Sequence, residues 1–113
     1  MREPTFLVLT CLAEGRRHGY ALIEEVAVLS AGRFTLRPGS LYATLDRLTG
    51  EGLVKVDGEE VISGRLRRYF ALTDVGAQEL AERAEHLART SREAQRRLSA
   101  RSSVGLRSRG ATA

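Results

Sequence analysis

Glycine interrupts the first two-thirds of the chain so often that only short elements fit between the breaks. Gly15 and Gly32 each end an apolar segment, and Gly50 and Gly52 end a third. Glycine adopts the left-handed backbone that ends a helix at no steric cost, which makes these positions natural stops. The spacing therefore predicts short helices and strands up to about residue 72.

Three short helices are predicted in this region. The first runs from Pro4 to Glu14 and is apolar nearly all round, which predicts burial, with Cys11 as a small buried apolar side chain. The second runs from His18 or Gly19 to Leu29, with His18 at its entry and Tyr20, Ile23 and Ala27 assigned to the inward face. The third follows the turn Pro38-Gly39-Ser40 and reaches about Glu51, with Leu41, Leu45 and Leu48 as its buried stripe.

Two antiparallel strands are predicted next. They cover Leu53–Val61 and Arg67–Leu72, are joined across Ser63-Gly64-Arg65, and direct Phe70 and Leu72 inward, with Arg67 and Tyr69 on the opposite face. Asp57-Gly58 is a competing turn, so the pattern leaves the register of the hairpin open.

A long helix is predicted from Thr73, a favourable N-cap residue. Its apolar and small residues follow a heptad spacing at Leu80, Ala84, Leu87, Ser91, Ala94 and Leu98. The domain that precedes this helix is complete and leaves little apolar surface for the helix to cover. This favours dimerisation over packing of the helix against its own domain. The predicted organisation is a domain at 1–72, a dimerisation helix at 73–98 and a flexible basic tail at 99–113.

Composition excludes several classes of function. The chain has 113 residues, one cysteine and two histidines, so neither an internal disulfide nor a multi-cysteine zinc site is expected. No phosphate-binding loop, serine-hydrolase elbow or paired catalytic groups occur, and we expect no enzyme, no catalytic residue, no metal and no cofactor. The longest apolar stretch is too short to span a membrane and no signal peptide precedes it, which predicts a cytoplasmic protein.

Positive charge is the remaining compositional signal. The chain carries 18 basic and 14 acidic residues, a formal net charge of +4, and every basic residue except Lys55 is an arginine. A sequence pI of about 10.0 with clustered arginines raises the prospect of a nucleic-acid partner.

The order of elements is that of a winged helix-turn-helix in an α+β, mostly helical chain. In such a fold the amino end of the third helix enters the major groove of double-stranded DNA, and the hairpin contacts the backbone alongside. The residues placed at this surface are Gly39, Ser40, Tyr42 and Thr44 on the helix and Arg65 and Arg67 on the hairpin. Arg47 is left open between DNA and an ion pair with Asp46 or Glu51.

The motifs of this chain resemble those of the PadR family of bacterial transcriptional regulators. They are His18-Gly19-Tyr20, Pro38-Gly39-Ser40-Leu41-Tyr42, Arg47-Leu48, Glu51-Gly52-Leu53-Val54, Arg67-Arg68-Tyr69-Phe70, Leu72-Thr73 and Gly76. The resemblance implies a homodimer joined through the C-terminal helix, a pseudo-palindromic operator, repression, and release by a small, often aromatic, effector. It also implies that the positions facing DNA are Ser40, Tyr42, Ala43, Thr44 and Arg47, with the hairpin around Arg65 and Arg67. The alternative is a winged domain that binds a protein partner, because fold alone does not determine function.

Overall fold

The elements follow the predicted order, with one additional short strand. The computed structural model describes the backbone of residues 1–112 and the side chains of residues 1–104. The elements are α1 (Glu3–Leu12), β1 (Arg17–His18), α2 (Gly19–Leu29), α3 (Pro38–Gly50), β2 (Val54–Ile62), β3 (Arg65–Leu72) and α4 (Asp74–Thr112). The chain divides into two compact units, Met1–Ala81 and Glu82–Ala113, so the first unit extends past the boundary predicted at residue 72.

Two of the helices begin at side-chain caps that the sequence had indicated. The Nδ1 atom of His18 accepts a hydrogen bond from the Ala21 N–H at 3.4 Å, which confirms the role of His18 at the entry to α2. Thr73 Oγ1 accepts from the Gly76 N–H at 3.0 Å and donates to the Gly52 carbonyl at 2.6 Å. Each cap satisfies a donor that the first turn of a helix leaves without a partner.

The sheet has three strands in the order β1-β3-β2. β2 and β3 form the predicted hairpin, which we call the wing, and it turns at Ser63-Gly64, whose φ angles are 51° and 76°. Positive φ at both central residues is typical of the two-residue hairpin turn, which settles the open choice of turn site. Asp57-Gly58 instead forms a bulge, because the register shifts between Val56 and Glu59.

β1 was not predicted. It is two residues long and pairs Arg17 with Phe70 and His18 with Tyr69 of β3. A two-residue strand has no alternation for a pattern to detect, so only its tertiary partner reveals it.

The core of the first unit lies between α1, α2, α3 and the base of the wing. The Leu41, Leu45 and Leu48 stripe of α3 is completely buried, as predicted. The cluster contains Val8, Leu9, Cys11, Leu12, Leu22, Val26, Leu41, Leu45, Leu48, Leu53, Val54 and Phe70, and Leu72 and Leu80 pack against it while partly buried. This packing fixes α3 through one face and leaves its other face free.

The assignment of Tyr20 to the core is wrong. Its side chain is 71% exposed, and α2 buries Leu22 and Val26 instead. α2 is apolar around most of its circumference, so the spacing of its apolar residues fits burial of either of two faces equally well. The charge of Glu24, one turn after Tyr20 on the same exposed face, is the signal that identifies the solvent side.

α4 is a single helix that continues beyond the predicted end at Leu98. Residues 99–112 are helical where the sequence predicted a flexible tail; the side chains after Val104 and residue 113 itself lie outside the described residues. Among the described residues, no helix is both long and apolar enough to cross a membrane.

Candidate nucleic-acid interface

The amino end of α3 is an open, polar surface. Gly39, Ser40 and Ala43 are exposed, and Tyr42 is 46% exposed. Arg37 precedes the helix and makes no side-chain cap, so the first-turn N–H groups have no partner within the helix. These donors and the positive end of the helix dipole favour an anionic partner such as a phosphate.

Gly39 has no structural reason of its own to be glycine. A Cβ atom built there would meet nothing within 4 Å, and its φ is not positive. The small size of this residue therefore leaves room for an external partner to approach the backbone.

The side chain of Tyr42 is packed on one side and exposed to solvent on the other. A Cβ atom at the buried Gly19 would lie 2.5 Å from the Tyr42 hydroxyl, so the close approach of this ring to α2 requires glycine there. The ring also lies 6.5 Å from that of Phe70. Tyr42 is thus held in place by α2 and β3 while almost half of its surface faces outward.

Two of the candidate side chains on α3 make bonds within the protein. Thr44 Oγ1 donates to the Ser40 carbonyl at 3.0 Å. Arg47 pairs with Glu51 at 3.2 Å and donates to the buried Thr5 hydroxyl at 2.8 Å. Of the two roles left open for Arg47, the structure provides the ion pair with Glu51, and it adds an unpredicted tie from α3 to α1.

The arginines of the wing differ in their surroundings. Arg68 pairs with Glu59 at 3.1 Å. Arg65 and Arg67 lie on the opposite face of β3 and form no ion pair with a described side chain. The wing therefore presents two guanidinium groups that are available to an anion.

A groove of about 800 Å³ separates the amino ends of α2 and α3 from the wing. Tyr20, Tyr42, Arg65 and Arg67 are among the residues that line it. Tyr20 is the functional candidate that the sequence analysis missed, because it was assigned to the core. Aromatic and guanidinium groups around one groove suit a nucleic-acid backbone and its sugars.

A partly exposed polar cluster lies on the other side of α2. Arg17 donates to Glu25 at 2.7 Å and approaches Glu14 at 3.8 Å. The hydrogen bond with Glu25 raises the pKa of Arg17. Burial, reinforced by Glu25, raises the pKa of Cys11 to about 12, so its thiol is neutral at ordinary pH and behaves as the predicted buried apolar side chain.

The predicted dimerisation residues fall into two groups. Leu80 belongs to the first compact unit and packs against its core. Ala84, Leu87, Ser91, Ala94 and Leu98 lie in the second unit and are all exposed, Leu87 by 40% and Leu98 by 60%. The heptad positions after Leu80 therefore form a thin apolar stripe on a helix surface open to solvent.

Comparison with known families and sequences identifies relatives of this chain. The model of the Transcriptional regulator PadR-like family matches residues 8–82. The chain is 36% identical over 86 residues to Transcriptional regulator Rv3488 of Mycobacterium tuberculosis, covering 76% of this chain and 77% of the relative. It is also 36% identical over 85 residues to Transcriptional regulator YqjI of Escherichia coli, covering 75% of this chain but only 39% of that relative's length.

A solved structure shares the fold. The structure of Bacillus subtilis PadR in complex with operator DNA superposes with a TM-score of 0.64 at 24% sequence identity, covering 73% of this chain and 46% of that one. This level of identity shows that the two proteins share a fold, and we assign no residue roles from it.

Proposed function

This chain belongs to the PadR-like family of transcriptional regulators, and on that premise we propose that it binds double-stranded DNA in the cytoplasm as a homodimeric repressor. The observation that carries the proposal is the open amino end of α3 beside Arg65 and Arg67 of the wing, which form no ion pair with any side chain described in the structure. The structure of Bacillus subtilis PadR with operator DNA supports it through the shared fold. Two copies would place two such ends on a pseudo-palindromic site.

Each element of the site has a distinct task in this proposal. The amino end of α3 approaches base edges in the major groove, where Gly39 permits close contact and Ser40 offers a hydroxyl group. Tyr42 and Tyr20 contact the sugar-phosphate backbone beside it. Arg65 and Arg67 neutralise phosphates along the neighbouring groove, and Arg47 positions α3 through its bonds to Glu51 and Thr5.

Dimerisation through α4 completes the proposal. The exposed stripe of Leu87 and Leu98 is a surface that a second copy of the same helix would cover. Half-sites one helical turn apart, about 34 Å, would then be addressed together. A small aromatic effector that selects a conformer with another half-site spacing would release the DNA.

The direct test is binding to the DNA upstream of the protein's own gene. We expect an electrophoretic shift at low salt, a footprint with two half-sites, and affinity that falls steeply as salt rises, with a log–log slope of roughly −0.9 per neutralised phosphate. Ser40→Glu should abolish the shift because it places a carboxylate against phosphates, whereas Gln78→Glu, the same charge change at an exposed position of α4, should not.

The absence of a shift with the wild-type dimer at low salt would contradict DNA binding and favour a protein partner. Repression is tested separately, with a reporter gene under the same promoter, where loss of the regulator should raise expression. Thermal-shift screening of aromatic compounds tests for the effector, since a bound ligand raises the melting temperature by mass action.

A further inference from the structure

Besides the packing of its base in the core, the wing is attached to the rest of its unit by a short backbone link. β1 contributes two residues, Arg17 and His18, and both pair with β3. β2 lies on the far side of β3, because the strand order is β1-β3-β2. No backbone bond of β1 therefore reaches β2, which forms one of the two edges of the wing.

Arg16, the residue before β1, crosses this gap with its side chain. Its Nη1 atom donates to the carbonyl oxygen of Asp57 in β2 at 2.9 Å. On the way its guanidinium group lies over the ring of Tyr69 in β3, with Cζ 4.5 Å from the ring centroid. One side chain thus contacts both strands of the wing, through a charge-assisted hydrogen bond and a cation–π contact.

The far end of this contact is built around a glycine. Gly58 has a φ of 105°, which side-chain-bearing residues rarely adopt, and a Cβ atom there would lie 2.7 Å from Arg16 Nη1. It sits in the bulge where the register of β2 and β3 shifts. The Asp57-Gly58 pair, which the sequence indicated as a possible turn, therefore forms the binding site for the Arg16 guanidinium group.

The middle of the contact is also held in place. The Tyr69 hydroxyl donates to Glu60 at 3.3 Å. The His18 ring meets the Tyr69 ring edge-on, with centroids 5.7 Å apart and planes at 86°. Because both ends of Tyr69 are constrained, the ring is a fixed platform for Arg16.

We propose that Arg16 is a positioning residue that holds the wing at the angle needed to place Arg65 and Arg67 on DNA. The proposal rests on the DNA-binding function proposed above. Arg16 acts through Asp57, Gly58 and Tyr69 rather than by touching phosphate, because its guanidinium group is already engaged by the Asp57 carbonyl and the Tyr69 ring.

The first test needs no DNA and measures amide hydrogen exchange of the whole protein. In Arg16→Ala, amides of residues 54–72 should exchange about tenfold faster, since a hydrogen bond and a cation–π contact are lost, while α1 to α3 keep their wild-type rates. Lys55→Ala removes the same charge from the wing without a contact to Arg16 and should leave exchange unchanged. Wild-type exchange rates in the Arg16→Ala wing would overturn the proposal.

Two further variants separate the contact from charge and from global stability. Arg16→Lys keeps the charge but loses the planar guanidinium group, so its wing should exchange at an intermediate rate. Gly58→Ala keeps Arg16 but displaces its guanidinium group, so exchange should also rise in the wing. Faster exchange spread evenly over α1 to α3 in both variants would show a general role in stability and contradict a role specific to the wing.

The second test measures DNA affinity against salt concentration. Arg16→Ala should bind about three- to tenfold more weakly with an unchanged salt slope, because no phosphate contact is lost. A slope reduced by about one would make Arg16 a direct phosphate contact and overturn the positioning role. If the wild-type protein binds no DNA, the proposed function fails, whereas the exchange experiment still decides whether Arg16 holds the wing.

Discussion

At the scale of single residues, neighbouring arginines of the wing have different surroundings. Arg67 has no ion pair with a described side chain, whereas Arg68 pairs with Glu59 at 3.1 Å. We predict that Arg67→Ala lowers DNA affinity and reduces the magnitude of the log–log salt slope by about one, the effect expected for one lost phosphate contact. The measurement is a binding titration at several salt concentrations.

Arg68→Ala is the matched control for this prediction. It removes the same charge one residue away, so a general electrostatic effect would appear equally in both variants. Arg68 lines the same groove but is already paired with Glu59, so the slope of Arg68→Ala should stay close to that of the wild type. An unchanged slope in Arg67→Ala would remove Arg67 from the set of phosphate contacts.

Cys11 gives a second prediction at this scale. Burial holds its pKa at about 12, so the reactive thiolate is almost absent from the folded protein at pH 8. We expect labelling by a thiol reagent to be slow in the native protein and fast in urea. Rapid labelling of the native protein at pH 8 would contradict the burial of this thiol.

The same shift predicts how stability depends on alkaline pH. The folded pKa lies above that of the unfolded thiol, so between about pH 9 and 12 the unfolded chain loses a proton that the folded chain retains. Stability contributed by the neutral thiol is therefore present below pH 9 and is lost as pH rises. Urea unfolding of Cys11→Ala should show a shallower decline across this range than the wild type.

At the scale of elements, the start of α4 is packed directly against Leu53, which joins α3 to β2, and against the end of β3. A Cβ atom at Gly76 would collide with the carbonyl oxygen of Leu53 and lie 2.9 Å from Leu72 Cδ1. That carbonyl also accepts the Thr73 N–H, so it cannot move away freely. We predict that Gly76→Ala lowers the free energy of unfolding by about 1–3 kcal/mol, the range for an overpacked interior.

Gly50→Ala is the control for that substitution. Gly50 also lies in a helix, its φ is not positive, and a Cβ atom there would meet nothing within 4 Å. Alanine should therefore raise the free energy of unfolding by about 0.5 kcal/mol through its higher helix propensity. Equal losses in both variants, measured by urea unfolding, would contradict the packing of α4 against Leu53.

The hairpin shows which features of an element the sequence could predict and which it could not. Both strands and the inward direction of Phe70 followed from composition and alternation. The choice between two turn sites did not, because Asp57-Gly58 and Ser63-Gly64 satisfy the same local rules. The register with Leu72 opposite Val54 resolves it, and that pairing depends on the core that both residues enter.

At the scale of the whole molecule, the exposed stripe of α4 predicts association. Leu98 is 60% exposed and continues the heptad spacing of Leu87. We predict that Leu98→Glu weakens the dimer at least about tenfold, because it removes buried apolar surface and inserts a charge at the contact. Sedimentation equilibrium measures this, and operator affinity should fall with it.

The control lies on the same helix. Ala100 is two residues further on, about 200° around the helix axis, so Ala100→Glu adds the same charge on the face away from the stripe. Its dimer should be as strong as that of the wild type. A wild-type protein that is monomeric at all concentrations would contradict dimerisation through α4.

The sequence by itself determined the order of elements, the leucine stripe of α3, the caps at His18 and Thr73, and the family. These follow from local rules of spacing and backbone preference that need no partner. The outward position of Tyr20, the hydrogen bond of Arg47 to Thr5, strand β1 and the contact of Arg16 with the wing were decided only by the tertiary structure. Each of these features depends on which face of an element, or which distant residue, the packed core brings close. Where an element is apolar on several sides, its local sequence does not specify which side is buried.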